Sequence, residues 1–230
     1  MTGSVVIIGG TAALGRELAA HYAGLGRDLV VTSRDAGRAD KVAEEIGGFT
    51  RGIALDLTRP ETIAGALSSV GPVDRLALVA IDRDENTVTG YDHGRGMQLV
   101  MLKLVGYTEV VHVLSDRLTP DAAVLIFGGM ARLRPYPGST TVTTINAGVI
   151  GLVRTLSVEL APRRVNSIHP GQVGDSPYWM DKPAAVMDAL AAATLTGRLA
   201  TMADVTGASV FLLENPAVNG VDLGVDGGYK

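Results

Sequence analysis

A glycine-rich turn near the start of the chain is the first stretch whose residue types suggest chemistry. It follows the β-branched run 4–8 and carries Gly9, Gly10 and Gly15 before a helical pattern begins. Glycine lets backbone N–H groups approach an anion closely, and the positive end of the following helix favours a phosphate. The pattern is typical of a site for the pyrophosphate of a nucleotide. An ordinary tight turn can show the same glycines, so the surrounding strand and helix decide between the two interpretations.

The end of the second predicted strand carries the next informative pair, Ser33-Arg34. In a dinucleotide-binding fold this position lies beside the adenosine ribose, where an acidic residue binds the 2′-hydroxyl and an arginine pairs with a 2′-phosphate. Because neither Asp nor Glu occupies the position, the sequence favours NADP(H) over NAD(H). A solvated arginine at the end of a strand is the alternative interpretation.

Composition excludes several other classes of protein. The chain has 230 residues, of which 47% are hydrophobic and 19% charged, which predicts one globular domain over residues 1–230. A net charge of -4 without a basic run argues against a nucleic-acid partner. The absence of cysteine and the wide separation of the four histidines predict no metal site.

We also expect no membrane partner and a cytoplasmic location. No apolar run in the sequence approaches the roughly 18 to 20 residues that span a bilayer. The first residues, Met1-Thr2-Gly3, lead directly into the first predicted strand.

Strand and helix patterns alternate along the whole chain. The sequence predicts strands at 4–8, 28–34, 50–57, 74–80, 122–127, 164–168 and 221–225. It predicts helices at 16–26, 36–46, 61–70, 95–114, 141–160 and 203–213. The continuously apolar strands suit a parallel sheet that is buried on both faces. We therefore expect an α/β fold with a doubly wound (Rossmann) parallel sheet, helices on both faces, and ligands at the carboxyl ends of the strands.

Several motifs, taken in order, resemble those of the short-chain dehydrogenase/reductase family. Residues 9–15 resemble the family's G-x-x-x-G-x-G turn, with Ala13 at the second glycine, and Asp56-Leu57 is similar to its adenine-contacting pair. Residues 164–171 resemble its R-V-N-x-I-x-P-G segment, and residues 224–228 resemble its terminal D-G-G. The resemblance extends over nearly the whole chain.

The resemblance implies a dinucleotide site and specifies its contacts. The matching positions in this chain are Gly9, Thr11, Ala13, Leu14, Gly15, Ser33, Arg34, Asp56, Leu57, Ala80, Gly171 and Val173. Near the place where the family has a cofactor-contacting threonine, this chain has Asp175, whose carboxylate would lie near the phosphates unless a shift of the loop brings Ser176 there instead. After the fourth strand, L-V-A-I at 78–81 replaces the family's N-N-A-G, so the polar groups that tie the central strands together are absent.

The family's catalytic positions hold other residue types here. Family members use a tyrosine to exchange the proton, a lysine to lower its pKa, a serine to orient the substrate oxygen, and an asparagine. The corresponding positions are Val142, Asn146, Gly129 and Met101, respectively. No lysine occurs between Lys103 and Lys182, so neither a shifted register nor the wider spacing of the related enoyl reductases restores the set. The resemblance thus implies an atypical member whose catalytic residues are unknown.

Two side chains are weak candidates for a replacement proton donor. Tyr136 lies in the R-P-Y-P loop after the fifth strand and would need a neighbour that lowers its pKa, such as Arg132 or Arg134. His169 precedes a Pro-Gly turn, and the ordinary pKa of histidine, about 6.5, suits acid–base work. A loop tyrosine packed between prolines and a structural histidine are the alternative interpretations.

We therefore expect an NADP(H)-binding oxidoreductase-like protein with a non-standard active site that acts on a small molecule. One alternative is a catalytically silent sensor or partner subunit, and another is a non-redox lyase, isomerase or cyclase on the same fold. The resemblance also implies a homodimer or homotetramer, formed through the fourth and fifth helices. Apolar residues that could supply this surface, unless the core buries them, are Leu99, Leu102, Val105, Val149, Leu152 and Leu156.

Overall fold

The computed structural model describes residues 3–230, so Met1 and Thr2, which precede the first predicted strand, lie outside the described residues. This part of the chain forms one seven-stranded sheet in the order β3-β2-β1-β4-β5-β6-β7, and every neighbouring pair is parallel. The strands are β1 Ser4–Ile8, β2 Asp28–Ser33, β3 Phe49–Ala54, β4 Val73–Leu78, β5 Leu118–Phe127, β6 Arg164–Pro170 and β7 Asp222–Val225. The strand order reverses between β1 and β4, which places a ligand crevice at their carboxyl ends.

Helices connect the strands on both faces of the sheet. They are α1 Ala13–Gly24, α2 Ala36–Ile46, α3 Pro60–Ala66, α4 His93–Val100, α5 Tyr107–Leu114, α6 Thr140–Glu159, α7 Pro177–Met180, α8 Ala184–Ala192 and α9 Met202–Glu214. A π-helical turn, Met101–Gly106, joins α4 to α5. The predicted α/β fold with a doubly wound parallel sheet is therefore confirmed, although the sequence analysis missed the short helices α7 and α8.

Two hydrophobic clusters, one on each face of the sheet, form the core. Val6 and Ile8 of β1 belong to the cluster that packs against α3, α5 and α6, whereas Val5 and Ile7 belong to the cluster under α1 and α9. Successive side chains of a strand point to opposite faces, so an unbroken apolar run is what a strand covered on both sides requires. Burial of each such side chain stabilises the fold by roughly 1.5–3 kcal/mol.

Buried Tyr107 secures the end of β4 in place of the expected polar residues. The N–H groups of Val79 and Ala80 both donate to the carbonyl of Ile8, at 2.9 and 3.0 Å. The hydroxyl of Tyr107, at the start of α5, donates to the carbonyl of Ala80. A hydroxyl from the neighbouring helix thus satisfies the strand end that the sequence had suggested would lack polar ties.

Two helical stretches, His93–Arg117 and Thr140–Glu159, are long and apolar enough to cross a membrane by length and composition alone, which corrects the sequence expectation that no stretch would be. Both pack on the sheet, and Val110 and Val149 are fully buried there. Core helices of α/β domains commonly have this composition.

The same helices were predicted to supply an interface between copies of the chain. Four of the six residues named for it lie in the core of the single chain: Leu99, Leu102, Val149 and Leu156. Val105 is 40% exposed and Leu152 is partly buried. For the four buried residues the core is therefore the correct account.

Candidate functional site

The carboxyl ends of the strands border one cavity of about 900 Å³. All twelve residues to which the resemblance assigned cofactor contacts line it, from the glycine turn to Gly171 and Val173. Gly129, Val142, Asn146 and Tyr136 line it as well. Met101 and His169 are not among the lining residues. The sequence motifs thus converge on a single cavity at the switch point of the sheet.

The turn between β1 and α1 needs glycine for close backbone packing. A Cβ at Gly9, whose φ is +86°, would lie 2.7 Å from the Cα of Ala80. A Cβ at Gly15 would lie 2.2 Å from the carbonyl oxygen of Gly9. The N–H of Gly9 donates to the Thr32 hydroxyl at 3.0 Å, which fixes the turn to β2. No side chain caps the N-terminus of α1, so its first N–H groups stay open toward the cavity.

Ala13, which stands at the family's second glycine, adopts a left-handed backbone conformation. Its φ is +41°. Every other residue with a positive φ within residues 3–230 is a glycine. This conformation costs an L-residue roughly 1–2 kcal/mol relative to the right-handed region. The sequence analysis treated Ala13 as a small residue that preserves packing, whereas the structure shows that the position also requires the backbone freedom of glycine.

Two arginines mark the end of the cavity beside β2. Arg34 and Arg38 both line it, and neither forms an ion pair within residues 3–230. Asp35 caps α2 by accepting from the N–H of Arg38 at 2.7 Å. Asp56, which also lines the cavity, accepts from the N–H and hydroxyl of Thr58 through one oxygen. The sequence analysis identified Arg34 but not Arg38.

The other end of the cavity is formed by Gly129 on β5's exit loop and by Val142 and Asn146 on α6. A Cβ at Gly129 would lie 2.8 Å from Asn146 Nδ2, so the glycine and the asparagine fit each other. Asn146 is 4% exposed, and its Oδ1 has no hydrogen-bond partner within residues 3–230. A buried acceptor without a partner is costly. Asn146 itself lines the cavity, so its amide group lies at this end of the site.

The chain's own groups fit an anionic dinucleotide. The glycine turn and open helix N-terminus suit a pyrophosphate, and the arginine pair suits a further anionic group. Within residues 3–230 no group of acidic or histidine side chains is placed to hold a metal ion.

His169 lies beneath the cavity in a hydrogen-bonded network. It is fully buried, and its Nδ1 accepts from the N–H of Gly129 at 3.1 Å. Its Nε2 lies 2.9 Å from the Ser167 hydroxyl, which donates to Asp222. Burial, with the charge of Arg132, lowers the pKa of His169 to about 4. The imidazole is therefore neutral at neutral pH and spans β6, β7 and the exit of β5.

Tyr136 borders the cavity from the loop before α6 and is 54% exposed. Partial burial raises its pKa, against the opposing charge of Arg83. Arg134, one of the neighbours expected to lower this pKa, is instead paired with Asp226 at 2.7 Å. The pKa of the phenol is thus raised overall, because burial outweighs the charge of Arg83.

The loop after β6 covers the mouth of the cavity. The guanidinium of Arg83 lies 3.3 Å from the ring centre of Tyr178, which bridges two sides of the mouth. Ser176 lines the cavity, whereas Asp175 turns away and accepts from the N–H of Met202 at 2.7 Å. Of the two alternatives left open by the sequence, the structure thus places the serine at the cavity.

Lys103 is a lining residue that the sequence analysis missed. It lies in the π-helical turn and is 2% exposed. Burial lowers its pKa to about 8. The available signal was a lone charge in the apolar run 99–105. The analysis used Lys103 only to mark the edge of a lysine-free stretch.

A parallel sheet in this order, with a glycine turn at its switch point, is typical of a doubly wound dinucleotide-binding α/β fold. A family model described as "Enoyl-(Acyl carrier protein) reductase" matches residues 9–230. The chain therefore belongs to the short-chain dehydrogenase/reductase family. The relatives that it resembles in this family are oxidoreductases.

Relatives match almost from end to end. Carbonyl reductase family member 4 from Danio rerio is 27% identical over 239 residues, covering 100% of this chain and 99% of the relative. The 3-oxoacyl-[acyl-carrier-protein] reductase FabG from Vibrio harveyi is 27% identical over 237 residues, covering 97% and 95%. A solved short chain dehydrogenase/reductase family protein shares 26% identity with a TM-score of 0.87, covering 98% of this chain and 96% of that structure. The chain shares its fold with the solved MalC Reductase/Diels-Alderase of Malbranchea aurantiaca, with a TM-score of 0.90 and 21% identity. That match covers 99% of this chain and 96% of the solved structure.

Proposed function

We propose that this protein is an NADP(H)-dependent oxidoreductase that reduces a small carbonyl compound in an atypical active site. The observation that carries the proposal is the continuity of one cavity. It extends from the arginine pair beside β2, past the glycine turn, to the orphaned Asn146 oxygen, and the twelve expected contact residues line it.

The cofactor preference rests on the end of the cavity beside β2. Within residues 3–230, Arg34 and Arg38 present two guanidinium groups without carboxylate partners, and a 2′-phosphate would pair with them. Asp56 holds its loop through Thr58, which leaves its other oxygen for the adenine end. When bound, the reduced dinucleotide supplies a hydride. The side chains at the far end must orient the acceptor and manage the proton.

The active site is atypical because the side chains at the family's catalytic positions cannot transfer a proton. Gly129 has no side chain, Val142 is apolar, and the amide of Asn146 does not titrate. Neutral His169 is committed to its network, and the pKa of Tyr136 is raised. Reduction in this cavity therefore needs a proton from another residue, or a substrate that needs little acid assistance.

The relatives suggest which substrates to try first. Their names include a carbonyl reductase and 3-oxoacyl-[acyl-carrier-protein] reductases, so a ketone or 3-oxoacyl thioester is the natural starting class. We further propose a cytoplasmic protein that associates as a homodimer or homotetramer. Exposed Val105 and part-exposed Leu152 are the two apolar residues left for that contact among the six considered.

The test is consumption of NADPH by purified protein with a panel of 3-oxoacyl thioesters, ketones, enones and imines. The proposal predicts substrate-dependent oxidation of NADPH and a matching amount of reduced product. Binding of NADPH without oxidation across the panel would favour a silent sensor or partner subunit. Product formation that needs no dinucleotide would favour a non-redox enzyme.

A further inference from the structure

A single lysine is buried in the wall of the cavity. Lys103 lies in the π-helical turn Met101–Gly106, between α4 and α5, and is 2% exposed. Its neighbour Leu102 belongs to the hydrophobic core. The lysine is therefore held among apolar groups, but it borders the cavity rather than solvent.

Lys103 has no structural partner that explains its burial. Within residues 3–230 it makes no ion pair, and the helices packed against the π-helical turn, α3 to α6, provide no carboxylate to it. The charge of Lys103 contributes to the lowered pKa of His169 on β6. An imidazole is either neutral or positively charged, so it cannot neutralise the ammonium group. An unpaired buried ammonium is costly to retain. A molecule bound in the cavity is therefore the remaining possible partner of the Lys103 ammonium group.

The backbone at this point is itself unusual. π-helical turns are rare in proteins and occur mostly at functional sites. This turn is pressed against the loop after β3, because a Cβ at Gly106 would lie 2.4 Å from the carbonyl oxygen of Leu57. Leu57 also lines the cavity. The turn that carries the lysine is thus fixed against the wall of the site.

Four arginines line the cavity besides Lys103. Arg83 stacks on Tyr178, and Arg134 pairs with Asp226. Arg34 and Arg38 lie at the end beside β2. A guanidinium also does not give up its proton in proteins. Lys230, at the C-terminus, also lines the cavity but is exposed, so within residues 3–230 Lys103 is the buried lining cation that has a transferable proton.

We propose that Lys103 is the catalytic acid of the reduction, with its ammonium group donating a hydrogen bond to the carbonyl oxygen of the substrate. This inference rests on the proposed function. A bound reduced nicotinamide dinucleotide would supply the hydride for the new C–H bond as the C=O π bond breaks. The Nζ proton passes to the oxygen and gives the alcohol. Lys103 is left as a neutral amine, which water then reprotonates.

The acidity of the group suits this role. Burial lowers the pKa of Lys103 to about 8, so the side chain carries its proton at neutral pH and releases it more readily than an exposed lysine. Turnover should therefore fall as pH rises through about 8. The substrate class follows from the hydrogen bond, since the acceptor must be an oxygen such as that of a ketone or 3-oxoacyl thioester.

The test compares Lys103→Met and Lys103→Arg with the wild type and with Lys41→Met, which removes an exposed lysine on α2. Loss of the acid should lower kcat by about 100-fold or more in both Lys103 variants while leaving NADPH affinity unchanged. The residual activity of Lys103→Arg should lack the fall near pH 8. Lys41→Met should match the wild type.

A second readout does not depend on turnover. Reductive methylation with formaldehyde and cyanoborohydride, mapped by mass spectrometry, should modify Lys103 with a pH midpoint near 8. Wild-type kcat in Lys103→Met, or no modification of Lys103 at any pH, would overturn the role of the lysine and leave the proposed function standing. A wild-type protein that binds NADPH and reduces nothing would overturn the proposed function, and this inference with it.

Discussion

The Nδ1 atom of His169 accepts a hydrogen bond from the N–H of Gly129 at 3.1 Å, so a buried imidazole lies directly under the strand end that borders the cavity. Because Nδ1 is the acceptor, Nε2 carries the hydrogen and donates to Ser167 at 2.9 Å. The hydroxyl of Ser167 in turn donates to Asp222. This chain of bonds positions the exit of β5 rather than supplying a proton to a ligand.

The first prediction concerns the fit between that imidazole and Gly128. A Cβ at Gly128 would lie 2.2 Å from His169 Nδ1, so Gly128→Ala must displace the ring or the strand end. We expect a loss of about 1–3 kcal/mol in the free energy of unfolding, measured by urea denaturation. Gly151→Ala, on α6 with no atom within 4 Å of its added Cβ, should instead stabilise by about 0.5–1 kcal/mol. Equal effects of the two changes would contradict the packing argument.

The second prediction concerns the strained backbone of Ala13. Ala13→Gly relieves a φ of +41° but adds the conformational freedom of glycine to the unfolded chain. The net effect should be stabilisation by up to about 1 kcal/mol, read from thermal or urea unfolding. Ala20→Gly, an exposed position inside α1, should destabilise by about 1 kcal/mol. Destabilisation by Ala13→Gly to the same extent would show that no strain is present.

The third prediction concerns cofactor choice. Removal of the guanidinium in Arg34→Ala should weaken NADPH binding by about 10- to 100-fold, the value of one or two charge-assisted hydrogen bonds, and leave NADH binding unchanged. Titration by calorimetry or nicotinamide fluorescence measures both constants. Arg154→Ala, an exposed arginine on α6, is the matched control. Equal weakening for both cofactors would refute the assignment of Arg34 to a 2′-phosphate.

The fourth prediction uses the buried amine and the pH dependence of stability. Because burial lowers the pKa of Lys103 from 10.5 to about 8, the folded state binds this proton more weakly than the unfolded state. The resulting penalty is fully present below pH 8, amounts to about 3 kcal/mol, and disappears as pH rises to about 10.5. Lys103→Met should therefore be more stable than the wild type at pH 7, and the difference should shrink between pH 8 and 10.5. A difference that is independent of pH would contradict the burial of a charged lysine.

The fold and the part of the cavity beside β1 and β2 were predictable because their sequence signals are local. Gly9 follows directly after β1 and Arg34 directly after β2, so sequence position alone brings them to one edge of a parallel sheet. The boundaries were less exact. The predicted strand at 50–57 ends at Ala54, because Asp56 bonds to Thr58 and turns the chain there.

The far end of the cavity was less predictable because its residues meet through tertiary contacts. The placement of Lys103 depends on a π-helical turn, which hydrophobic periodicity does not reveal. The burial of His169 depends on Gly128, 41 positions earlier in the chain, and the turning away of Asp175 depends on the N-terminus of α9. The sequence located the positions that the resemblance treats as catalytic, but not Lys103, which lines the cavity as well.

The most direct test of the account is the fate of a deuterium atom placed at the transferred position of the NADPH nicotinamide. If this protein is a reductase, the deuterium must appear in the new C–H bond of the product, one atom for each NADPH consumed, as mass spectrometry would show. A product that forms without deuterium, or NADPH that binds and keeps its deuterium with every carbonyl compound offered, would contradict the proposal that the cavity carries out hydride transfer.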